Sequence, residues 1–425
     1  MYIWITTGGS HGDLHPFLAI GQALRRRGHE VTLSAHPYFR ADVEAAGIEH
    51  FAMNPEIELE RILNDPQFMH PRVGGRRVLD MIFACVPDAL AALRGAMCAR
   101  RPDVVLSHHI CIGTRWLCDE LRLPFVQSQL APLTWLSGSD PVPPMQRRPG
   151  ALRRAGARFL FRTFLPLAAA WFGRRINRLR RDVGYPPEKS AFLADWFGGD
   201  ANLGLWSPHF RGPTDRDPPR ARLCGFCCYD RSDRTPTLPI ELERFLDAGD
   251  PPVVFALGTA AVHNPGDFYH VAADACARLG RRGVLLVGKD ANVPAGLGAS
   301  LIALHYVPFS LLFPRAGVIV HHGGIGSTAQ ALRAGRPTVV VPHAHDQFHN
   351  ALHAHRLGVA HCVPRAALSV ARLADALVRM ADPAVESAAA ALRAHVRHED
   401  GTSVACDELE RCARDDYPRR PTFPR

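Results

Sequence analysis

Short apolar segments alternate with longer segments in which apolar residues recur at helical spacing throughout the first half of the chain. Segments 2–5, 31–34 and 104–106 predict strands, whereas 16–27 and a segment near 39–46 predict helices. The strands are largely apolar on both faces, as expected when helices cover both sides of a sheet. The pattern therefore predicts a parallel α/β sheet.

The second half repeats this alternation more clearly. Its predicted strands are 253–257, 284–287, 301–303, 318–321 and 338–341, and its predicted helices include one that ends at 279 and one at 327–334. Ligands of such sheets bind at the carboxyl ends of the strands, so the loops that follow these strands are expected to line one crevice.

The length of 425 residues exceeds the usual size of one hydrophobic core. Between the halves, 207–250 is rich in Pro, Arg and Asp and shows little periodicity, as a linker does. We therefore predict two Rossmann-like domains that face each other across a cleft. The predicted units are a first domain (1–215), a linker (216–250), a second domain (251–385) and a helical tail (386–425) that packs back on the first domain.

The formal net charge of +9 gives no evidence for a nucleic-acid partner. Nearly all of the positive charge is arginine, since lysine occurs only at Lys189 and Lys289, and no RNA- or DNA-binding motif accompanies it. The segment 147–181 alternates basic with large apolar residues. It predicts a peripheral contact with an anionic membrane or helices that cover a lipidic pocket, with a packed surface helix pair as the alternative.

The N-terminal residues and the cysteines favour a cytoplasmic protein, at most peripheral at the inner face of the membrane. A strand-like run follows Met1 without the regions of a secretory leader, and the apolar stretch 159–172 is too short to span a bilayer. The eleven cysteines lie mostly in apolar runs. The cluster 224–228 lacks a second Cys or His pair, so we expect core thiols and no metal site.

The segment 318–328 joins a buried strand to a helix through three glycines. Glycines let backbone amides approach a ligand closely, and a helix N-terminus attracts an anion. The segment also contains the polar side chains of His322, Ser327 and Thr328. It predicts an anion site, with a tight turn capped by Ser327 as the alternative.

Further motifs stand at defined distances from this turn. They are Tyr306-Val307-Pro308 upstream, and Ala331-Leu332, Gly335-Arg336-Pro337 and Asp346-Gln347 downstream. With the glycine-rich turn, this series resembles the donor-binding signature of family 1 glycosyltransferases, whose fold is GT-B. The resemblance implies an enzyme that transfers a sugar from a nucleotide-diphosphate donor.

The resemblance also implies roles for individual residues. The ring of Tyr306 would stack on the nucleobase, the main chain of Val307 would read the base edge, and Asp346 with Gln347 would read the sugar hydroxyls. The diphosphate would be held by His322, Gly324, Gly326, Ser327 and Thr328. The pair Gly258-Thr259 would touch the diphosphate, or form an ordinary strand-to-helix turn. No metal or other cofactor is implied, because imidazole, hydroxyls and helix dipole offset the charge of the leaving diphosphate.

The chain departs from the plant form of this signature at three positions. Tyr306, Phe309 and Gly326 stand where the plant enzymes have Trp, Gln and Asn. These differences argue against a preference for UDP-glucose.

The loop after the first strand, residues 8–16, stands where the family keeps its catalytic base. Asp13 matches that base, which would take the proton of the acceptor hydroxyl. An Asp just before a helix is also a common N-cap, and capping would lower its pKa. His11 and His15 are the alternative bases, because imidazole titrates near neutrality.

Within the family, the chain resembles the rhamnosyltransferases of rhamnolipid biosynthesis. The matching residues are Gly12-Asp13, Pro16-Phe17, Arg27-Gly28-His29, Gly266-Asp267-Phe268-Tyr269, His322-Gly323-Gly324-Ile325-Gly326 and 343–348. This resemblance implies a dTDP-L-rhamnose donor, a 3-(3-hydroxyalkanoyloxy)alkanoate as lipidic acceptor, and inversion at the anomeric carbon. A partner protein that supplies the lipid is an open alternative.

The acceptor pocket is expected in the first domain, near Trp135, Pro141, Pro143 and Pro144, although the sequence fixes no acceptor-binding residue. An apolar pocket would equally suit an aromatic, sterol or polyketide acceptor. A non-catalytic sugar-nucleotide-binding subunit and an epimerase of the same fold are the alternatives from other functional classes.

Overall fold

The computed structural model describes residues 1–135, 151–229 and 237–414, with the side chains of 151–165 and of residue 260 outside the description. The first sheet is parallel throughout, with seven strands in the order β3-β2-β1-β4-β5-β6-β7. Its strands are β1 (Tyr2–Thr6), β2 (Glu30–Ala35), β3 (Glu49–Ala52), β4 (Val104–His108), β5 (Phe125–Gln129), β6 (Ala201–Gly204) and β7 (Ala221–Leu223). The strand order reverses between β1 and β4, which is where such sheets bind ligands.

Helices cover both faces of this sheet. They are α1 (His11–Arg26), α2 (Arg40–Ala45), α3 (Leu59–Asn64), α4 (Gly74–Ala99), α5 (Thr114–Leu121), α6 (Ala151–Asp182) and α7 (Ala191–Phe197). The first helix begins five residues before the predicted segment 16–27. Ser10 is the N-cap, and Pro16 lies inside the helix.

The second sheet is also parallel and has six strands in the order β10-β9-β8-β11-β12-β13. Its strands are β8 (Val253–Ala256), β9 (Gly283–Leu286), β10 (Leu301–Leu304), β11 (Val318–His321), β12 (Thr338–Val340) and β13 (Ala360–Cys362). The accompanying helices are α8 (Ile240–Asp247), α9 (Gly258–Ala261), α10 (Phe268–Leu279), α11 (Phe309–Leu312), α12 (Ile325–Ala334), α13 (Gln347–Arg356), α14 (Val370–Met380), α15 (Pro383–Val396) and α16 (Gly401–Cys412). The predicted α/β class with two parallel-sheet domains is confirmed.

The segment predicted as a linker, 216–250, contains ordered elements of both domains. Strand β7 forms the edge of the first sheet. Helix α8 buries Leu242 and Leu246 in the second domain, against the core that includes Phe313. Its apolar residues recur every four positions, a pattern that the surrounding Pro- and Arg-rich composition obscured.

The C-terminal helix returns to the first domain. On α16, the buried residues Ala405, Cys406 and Leu409 belong to the same core as β1 and α1. Arg27, which follows α1, donates hydrogen bonds to Asp407 at 2.6 Å and Glu410 at 3.0 Å. The chain therefore crosses the cleft twice, and residues 415–425 of the predicted tail lie outside the described part.

The predicted basic amphipathic segment forms one helix, α6, which packs against α7. Among its described side chains, Leu167 and Trp171 are exposed, whereas Ile176 and Arg180 are buried. Residues 147–150 lie outside the described residues. By length and composition, one helix of the described part, α4, could cross a membrane, a test that the core helix of a soluble protein also passes.

All eleven cysteines are free thiols. Burial raises the pKa of Cys85 to about 11 and that of Cys111 to about 12, so both are neutral near pH 7. Within the described ranges, no group of three His, Cys, Asp or Glu side chains is arranged to hold a metal ion.

Candidate active site

The carboxyl ends of the two sheets face each other across the cleft. A Cβ atom on Gly12, in the first turn of α1, would lie 4.0 Å from Oγ1 of Thr259, which follows β8. Nearby, Nδ1 of His263 lies 2.9 Å from Oδ1 of Asn64 in the first domain. The predicted residues Asp13 and Gly258 therefore border the same cleft.

Asp13 occupies the third position of α1, and its carboxylate folds back over Ser10. Its Oδ2 accepts hydrogen bonds from the Ser10 backbone N–H at 2.7 Å and from the Ser10 hydroxyl at 3.0 Å. Gly9 has a φ of 101°, and a Cβ atom there would lie only 2.4 Å from Oδ2 of Asp13. A residue with a side chain at position 9 would therefore displace this carboxylate. Ser10, not Asp13, is thus the N-cap, and the carboxylate keeps Oδ1 for a ligand.

The protein surroundings make Asp13 a stronger base than an ordinary carboxylate. Burial raises its pKa, and this effect outweighs the two hydrogen bonds from Ser10, which lower it. The electrostatic interaction with His345 of the second domain also lowers the Asp13 pKa, as a smaller effect. A general base is most effective when its pKa approaches the working pH, so this environment suits proton abstraction.

The two alternative bases are held by other groups of the first domain. Nε2 of His11 lies 3.1 Å from Oδ2 of Asp42, and its ring packs edge-on against Phe39. The ring of His15 lies 5.4 Å from that of Tyr229. One ring nitrogen of His11 is thus engaged with Asp42, and His15 makes a ring contact with Tyr229.

In the second domain, the ring of His322 fills the space between two glycines. A Cβ on Gly258 would lie 2.4 Å from Cε1 of His322, and a Cβ on Gly324 would lie 2.4 Å from Nε2. Gly258 also has a φ of 66°, which side-chain-bearing residues rarely adopt. The pair Gly258-Thr259 is therefore more than an ordinary turn, because its glycine makes room for the imidazole.

His322 is neutral in this structure. Burial lowers its pKa well below the usual value, and the neighbouring His321 and His343 lower it further. Its Nδ1 is buried and has no hydrogen-bond partner among the described residues. The imidazole can thus donate a hydrogen bond to a diphosphate, but it brings no positive charge until an anion raises its pKa.

The first residues of α12 have backbone amides without helical acceptors, whereas the Gly323 N–H of the turn donates to Nδ1 of His321 at 3.0 Å. Gly324 is the N-cap of α12 and has no side chain to cap the helix. The first helical bond is donated by Thr328 N–H to the Gly324 carbonyl at 2.9 Å, so the preceding amides of the helix lack intrahelical acceptors. Gly326 is exposed and Ser327 is the third residue of α12, so Ser327 is not the cap.

Two side chains donate hydrogen bonds to backbone carbonyl groups of this turn. Asn350 donates to the Gly323 carbonyl at 3.0 Å and to Oδ2 of Asp346 at 2.7 Å. The hydroxyl of Thr328 donates to the Gly324 carbonyl at 3.0 Å. In this structure the Thr328 hydroxyl stabilises the turn instead of presenting its proton to the cleft.

Tyr306 and Val307 follow β10 in the second domain. The Tyr306 side chain is 55% exposed, which leaves ring surface accessible, and Val307 is fully buried. An exposed aromatic ring suits stacking on a planar base. The contacts predicted for Tyr306 and for the main chain of Val307 stay predictions.

Asp346 and Gln347 begin α13 at the same cleft. Burial, with repulsion from Asp13 as a smaller cause, raises the pKa of Asp346 to about 6. The amide oxygen of Gln347 accepts hydrogen bonds from the backbone N–H groups of His343 at 2.8 Å and Ala344 at 3.0 Å. Gln347 therefore has only its NH₂ group for a sugar hydroxyl.

An apolar cavity opens beside the loop that carries Asp13. Its empty space, counted together with the adjoining open solvent, is about 730 Å³. One face of α4 forms a wall, with Met81, Ile82, Cys85, Val86, Ala89, Leu90 and Leu93. Other lining residues are Thr7, Gly8, Gly9, His36, Met53, Asn54, Ile57, Leu59, Ile110, Cys111, Ile112 and Thr114.

The cavity extends along α4. Met81 and Leu93 are twelve residues apart, which is about 18 Å along a helix axis. Trp135, expected near the acceptor, is instead buried against Trp206, and its indole N–H donates to Gln129 at 3.1 Å. Pro141, Pro143 and Pro144 lie outside the described residues.

Sequence reasoning did not identify three contributors to this site. The residues of α4 that line the cavity form an apolar stripe at helical spacing, which the sequence shows. The same pattern is typical of a helix packed on a core, so it does not indicate a cavity. Asn350 has no sequence signal beyond its position four residues after Asp346. The run 343–348 includes His345, but the resemblance implies no role for this residue.

The chain is similar to known proteins over almost its full length. Residues 3–106 match the model of the glycosyltransferase family 28 N-terminal domain. Residues 289–406 match that of the erythromycin biosynthesis protein CIII-like C-terminal domain. The chain is 33% identical to O-mycaminosyltylonolide 6-deoxyallosyltransferase of Streptomyces fradiae, over 97% of this chain and 98% of that protein.

A second relative and a solved structure agree with these matches. The chain is 28% identical to a sterol 3-beta-glucosyltransferase of Arabidopsis thaliana over 95% of this chain, and it spans 64% of that longer protein. The crystal structure of the glycotransferase of kitacinnamycin superposes with a TM-score of 0.74 at 25% identity, covering 97% of this chain and 99% of that one.

Proposed function

This chain belongs to the family 1 glycosyltransferases of GT-B fold, and we propose that it transfers a 6-deoxyhexose from a nucleotide-diphosphate sugar to a hydroxyl of an apolar acceptor. One observation carries this proposal. Gly9, which borders the carboxylate of Asp13, lines an apolar cavity, and Gly12 lies across the cleft from Thr259, the neighbour of the Gly258 that borders the His322 ring.

Asp13 is proposed as the general base. The acceptor hydroxyl gives its proton to Oδ1 of Asp13 while its oxygen bonds to the anomeric carbon. The bond between that carbon and the diphosphate oxygen breaks, and the nucleotide diphosphate leaves with the electron pair. Attack from the face opposite the diphosphate inverts the anomeric configuration.

The leaving diphosphate is proposed to bind at the start of α12. The backbone amides there, the Ser327 hydroxyl and the His322 imidazole offer hydrogen bonds, each worth about 1.5–3 kcal/mol when the partner is charged. Gly258 supports this assignment, because its missing side chain leaves the space that the His322 ring occupies. These groups offset the developing charge without a metal ion.

For the donor, we propose dTDP-L-rhamnose. The relative from Streptomyces is named for transfer of a 6-deoxyallosyl group, a 6-deoxyhexose. Tyr306, which stands where the plant enzymes have Trp, would stack on the thymine. Asp346 and the NH₂ group of Gln347 would bind the sugar hydroxyls.

For the acceptor, we propose a 3-(3-hydroxyalkanoyloxy)alkanoate. The length of the cavity along α4 and its apolar walls suit an extended acyl chain with its hydroxyl near Asp13. A cyclic polyketide or sterol is the second candidate. It is favoured by the names of two relatives, whose acceptors are a tylonolide derivative and a sterol.

The test uses the purified full chain with dTDP-L-rhamnose and an acceptor panel of hydroxyalkanoyl lipids, sterols and macrolide aglycones. Product mass and released dTDP are measured. If rhamnosylated lipid forms faster than the other products, the main proposal is supported. If a sterol or macrolide acceptor is glycosylated faster, the second candidate is supported. Binding of donor without product from any acceptor would favour the non-catalytic alternative, and isomerised sugar would favour an epimerase.

A further inference from the structure

The segment 65–73 joins two helices of the first domain that border the apolar cavity. It follows α3, where Leu59 lines the cavity, and it precedes α4, which forms the cavity wall. The segment packs closely on the start of α4, because a Cβ atom on Gly74 would lie 2.3 Å from the carbonyl oxygen of Phe68. A shift of either helix would therefore move residues 65–73, which we call the connector.

The middle of the connector is buried in the second domain. Met69 is 2% exposed and belongs to the apolar core of that domain, together with Leu257 and Ala261. Phe68 packs against the cores of both domains, and its ring centroid lies 5.6 Å from that of His345. Leu257 and Ala261 stand before and after the pair expected to touch the diphosphate, and His345 directly precedes the residues expected to bind the sugar. The connector thus meets the second domain beside two groups of donor-binding residues.

Hydrogen bonds link the residue before the connector to the same part of the second domain. The side-chain NH₂ group of Asn64, the last residue of α3, donates to the Glu60 carbonyl at 2.9 Å, so its Oδ1 is the acceptor. This Oδ1 lies 2.9 Å from Nδ1 of His263, and the Asn64 carbonyl accepts a hydrogen bond from the side chain of Asn264 at 3.3 Å. Burial lowers the pKa of His263, so a neutral imidazole with its proton on Nδ1 donates this bond. His263 and Asn264 follow α9, which begins at Gly258.

We propose that Asn64 and the connector couple the two substrate sites, so that an occupant of the apolar cavity strengthens binding of the nucleotide diphosphate and the nucleotide strengthens binding in the cavity. This inference rests on the proposed function, because it takes the cavity as the acceptor site and the start of α12 as the diphosphate site. Asn64 is a positioning residue in this account, since it acts on the donor through His263.

Packing supplies the cause of the coupling. An apolar occupant of the cavity adds contacts to Leu59 and to α4, and these contacts stabilise one arrangement of the two helices. Helix α3 has six residues, too few to hold its position without tertiary contacts. Fixing α3 and α4 favours the arrangement in which Asn64 meets His263 and Met69 enters the second core. The cleft then stays closed around the nucleotide, and thermodynamic linkage requires the same effect in both directions.

A connector with only a structural role predicts a different result. If residues 65–73 merely hold the two domains together, truncation of Asn64 changes the nucleotide affinity by the same factor with and without an occupant of the cavity. Coupling predicts that the ratio of the two affinities changes. This ratio is therefore the quantity to measure.

The experiment is calorimetry on the full chain with dTDP as the nucleotide probe, so that no sugar is transferred. The dTDP Kd is measured alone, with saturating 3-(3-hydroxydecanoyloxy)decanoate and with saturating tylonolide, which represent the two acceptor classes. Asn64→Ala removes the hydrogen bond to His263 at an exposed position. Arg61→Ala is its matched control, because Arg61 is exposed on the same helix and pairs with Glu58 of its own domain at 3.2 Å.

Gly74→Ala and Gly75→Ala form a second matched pair at the start of α4. A Cβ atom at position 74 would displace the Phe68 carbonyl, whereas a Cβ atom at position 75 would meet no atom within 4 Å. Both substitutions raise the helix propensity of α4 equally. A difference between them therefore reports on the connector, and Tm is measured for all four variants.

In the wild type, a saturating acceptor probe should lower the dTDP Kd by about fivefold or more. Asn64→Ala and Gly74→Ala should reduce this ratio to less than half, with the dTDP Kd in the absence of a probe within about twofold of the wild type. Arg61→Ala and Gly75→Ala should keep the wild-type ratio. The inference is overturned by a ratio of one in the wild type, or by a wild-type ratio in both Asn64→Ala and Gly74→Ala.

Failure of the proposed function gives a separate result. A wild-type chain that binds dTDP but neither acceptor probe refutes the apolar acceptor, and the coupling with it. A wild-type chain that transfers sugar, yet binds dTDP and a probe independently, refutes only the coupling. A lowered Tm in Asn64→Ala with an unchanged ratio assigns the contact to packing and also refutes the inference.

Discussion

The carboxylate of Asp13 accepts two hydrogen bonds from Ser10, one from its backbone N–H at 2.7 Å and one from its hydroxyl at 3.0 Å. The same oxygen receives both bonds, so helix capping orients the carboxylate without consuming its second oxygen. One residue can therefore close the start of α1 and still offer an oxygen for the proposed proton abstraction. The pKa of Asp13 also depends on Ser10, because both hydrogen bonds lower it.

The pH dependence of transfer should report the raised pKa of Asp13. The base must be ionised, so kcat/KM should fall as the pH is lowered through an apparent pKa above the ordinary carboxyl value. In Ser10→Ala, loss of one hydrogen bond raises this pKa further and moves the acid limb to higher pH. The profile is measured from pH 4 to 9, and a limb at or below about 4 in the wild type would contradict the assignment.

His322→Ala should raise the donor KM and lower kcat together, because the imidazole is proposed to contact the diphosphate in both ground and transition states. Loss of one hydrogen bond to a charged group corresponds to about 1.5–3 kcal/mol in kcat/KM. His353→Ala, which removes a buried histidine of α13, controls for loss of a buried ring. Unchanged donor KM and kcat in His322→Ala would remove His322 from the donor site.

Gly258→Ala should displace His322 and weaken donor binding, because the new Cβ would lie 2.4 Å from Cε1 of that ring. Gly280→Ala is the matched control, since Gly280 has a φ of 62° and no atom within 4 Å of a Cβ. Both variants should lose about 1 kcal/mol of stability from the positive φ. Only Gly258→Ala should raise the donor Kd, measured by calorimetry, and equal donor Kd values in the two variants would exclude the steric account.

Ala89→Phe should reduce turnover with long-chain acceptors, because Ala89 lines the wall that α4 gives to the cavity. We expect kcat/KM to fall by about tenfold or more for long acyl chains and much less for short ones, since each excluded methylene removes about 0.8 kcal/mol of burial. Ala92→Phe, on the exposed face of the same helix, should have no effect. Equal losses for long and short acceptors would argue against chain binding along α4.

The sequence predicted five of the six strands of the second sheet but only three of the seven strands of the first. The segment 318–321 coincides with β11, and the glycine-rich turn follows it as predicted. The strands β3, β5, β6, β7 and β13 were not predicted, and the start of α1 was misplaced by five residues. Continuous apolar runs identify strands that are buried on both faces, whereas polar residues within a short strand, as in β3 (Glu49–Ala52), remove that signal.

The sequence could not predict which polar atoms remain available to ligands. Thr328 and Gln347 match the family signature, yet hydrogen bonds within their own loops engage the hydroxyl of one and the amide oxygen of the other. His345 acquires its position from the closure of two domains, through contacts between residues almost 300 positions apart. Such relationships depend on tertiary structure, which residue spacing alone does not encode.

The most direct test of the central claim is the transfer rate of Asp13→Asn, measured in a single turnover with saturating donor and compared with donor affinity. Asn keeps the size of the side chain but cannot accept a proton as a carboxylate does. We predict a loss of about 10²–10⁴-fold in the rate, with the donor Kd within about twofold of wild type. A rate near that of the wild type would contradict the assignment of Asp13 as the base.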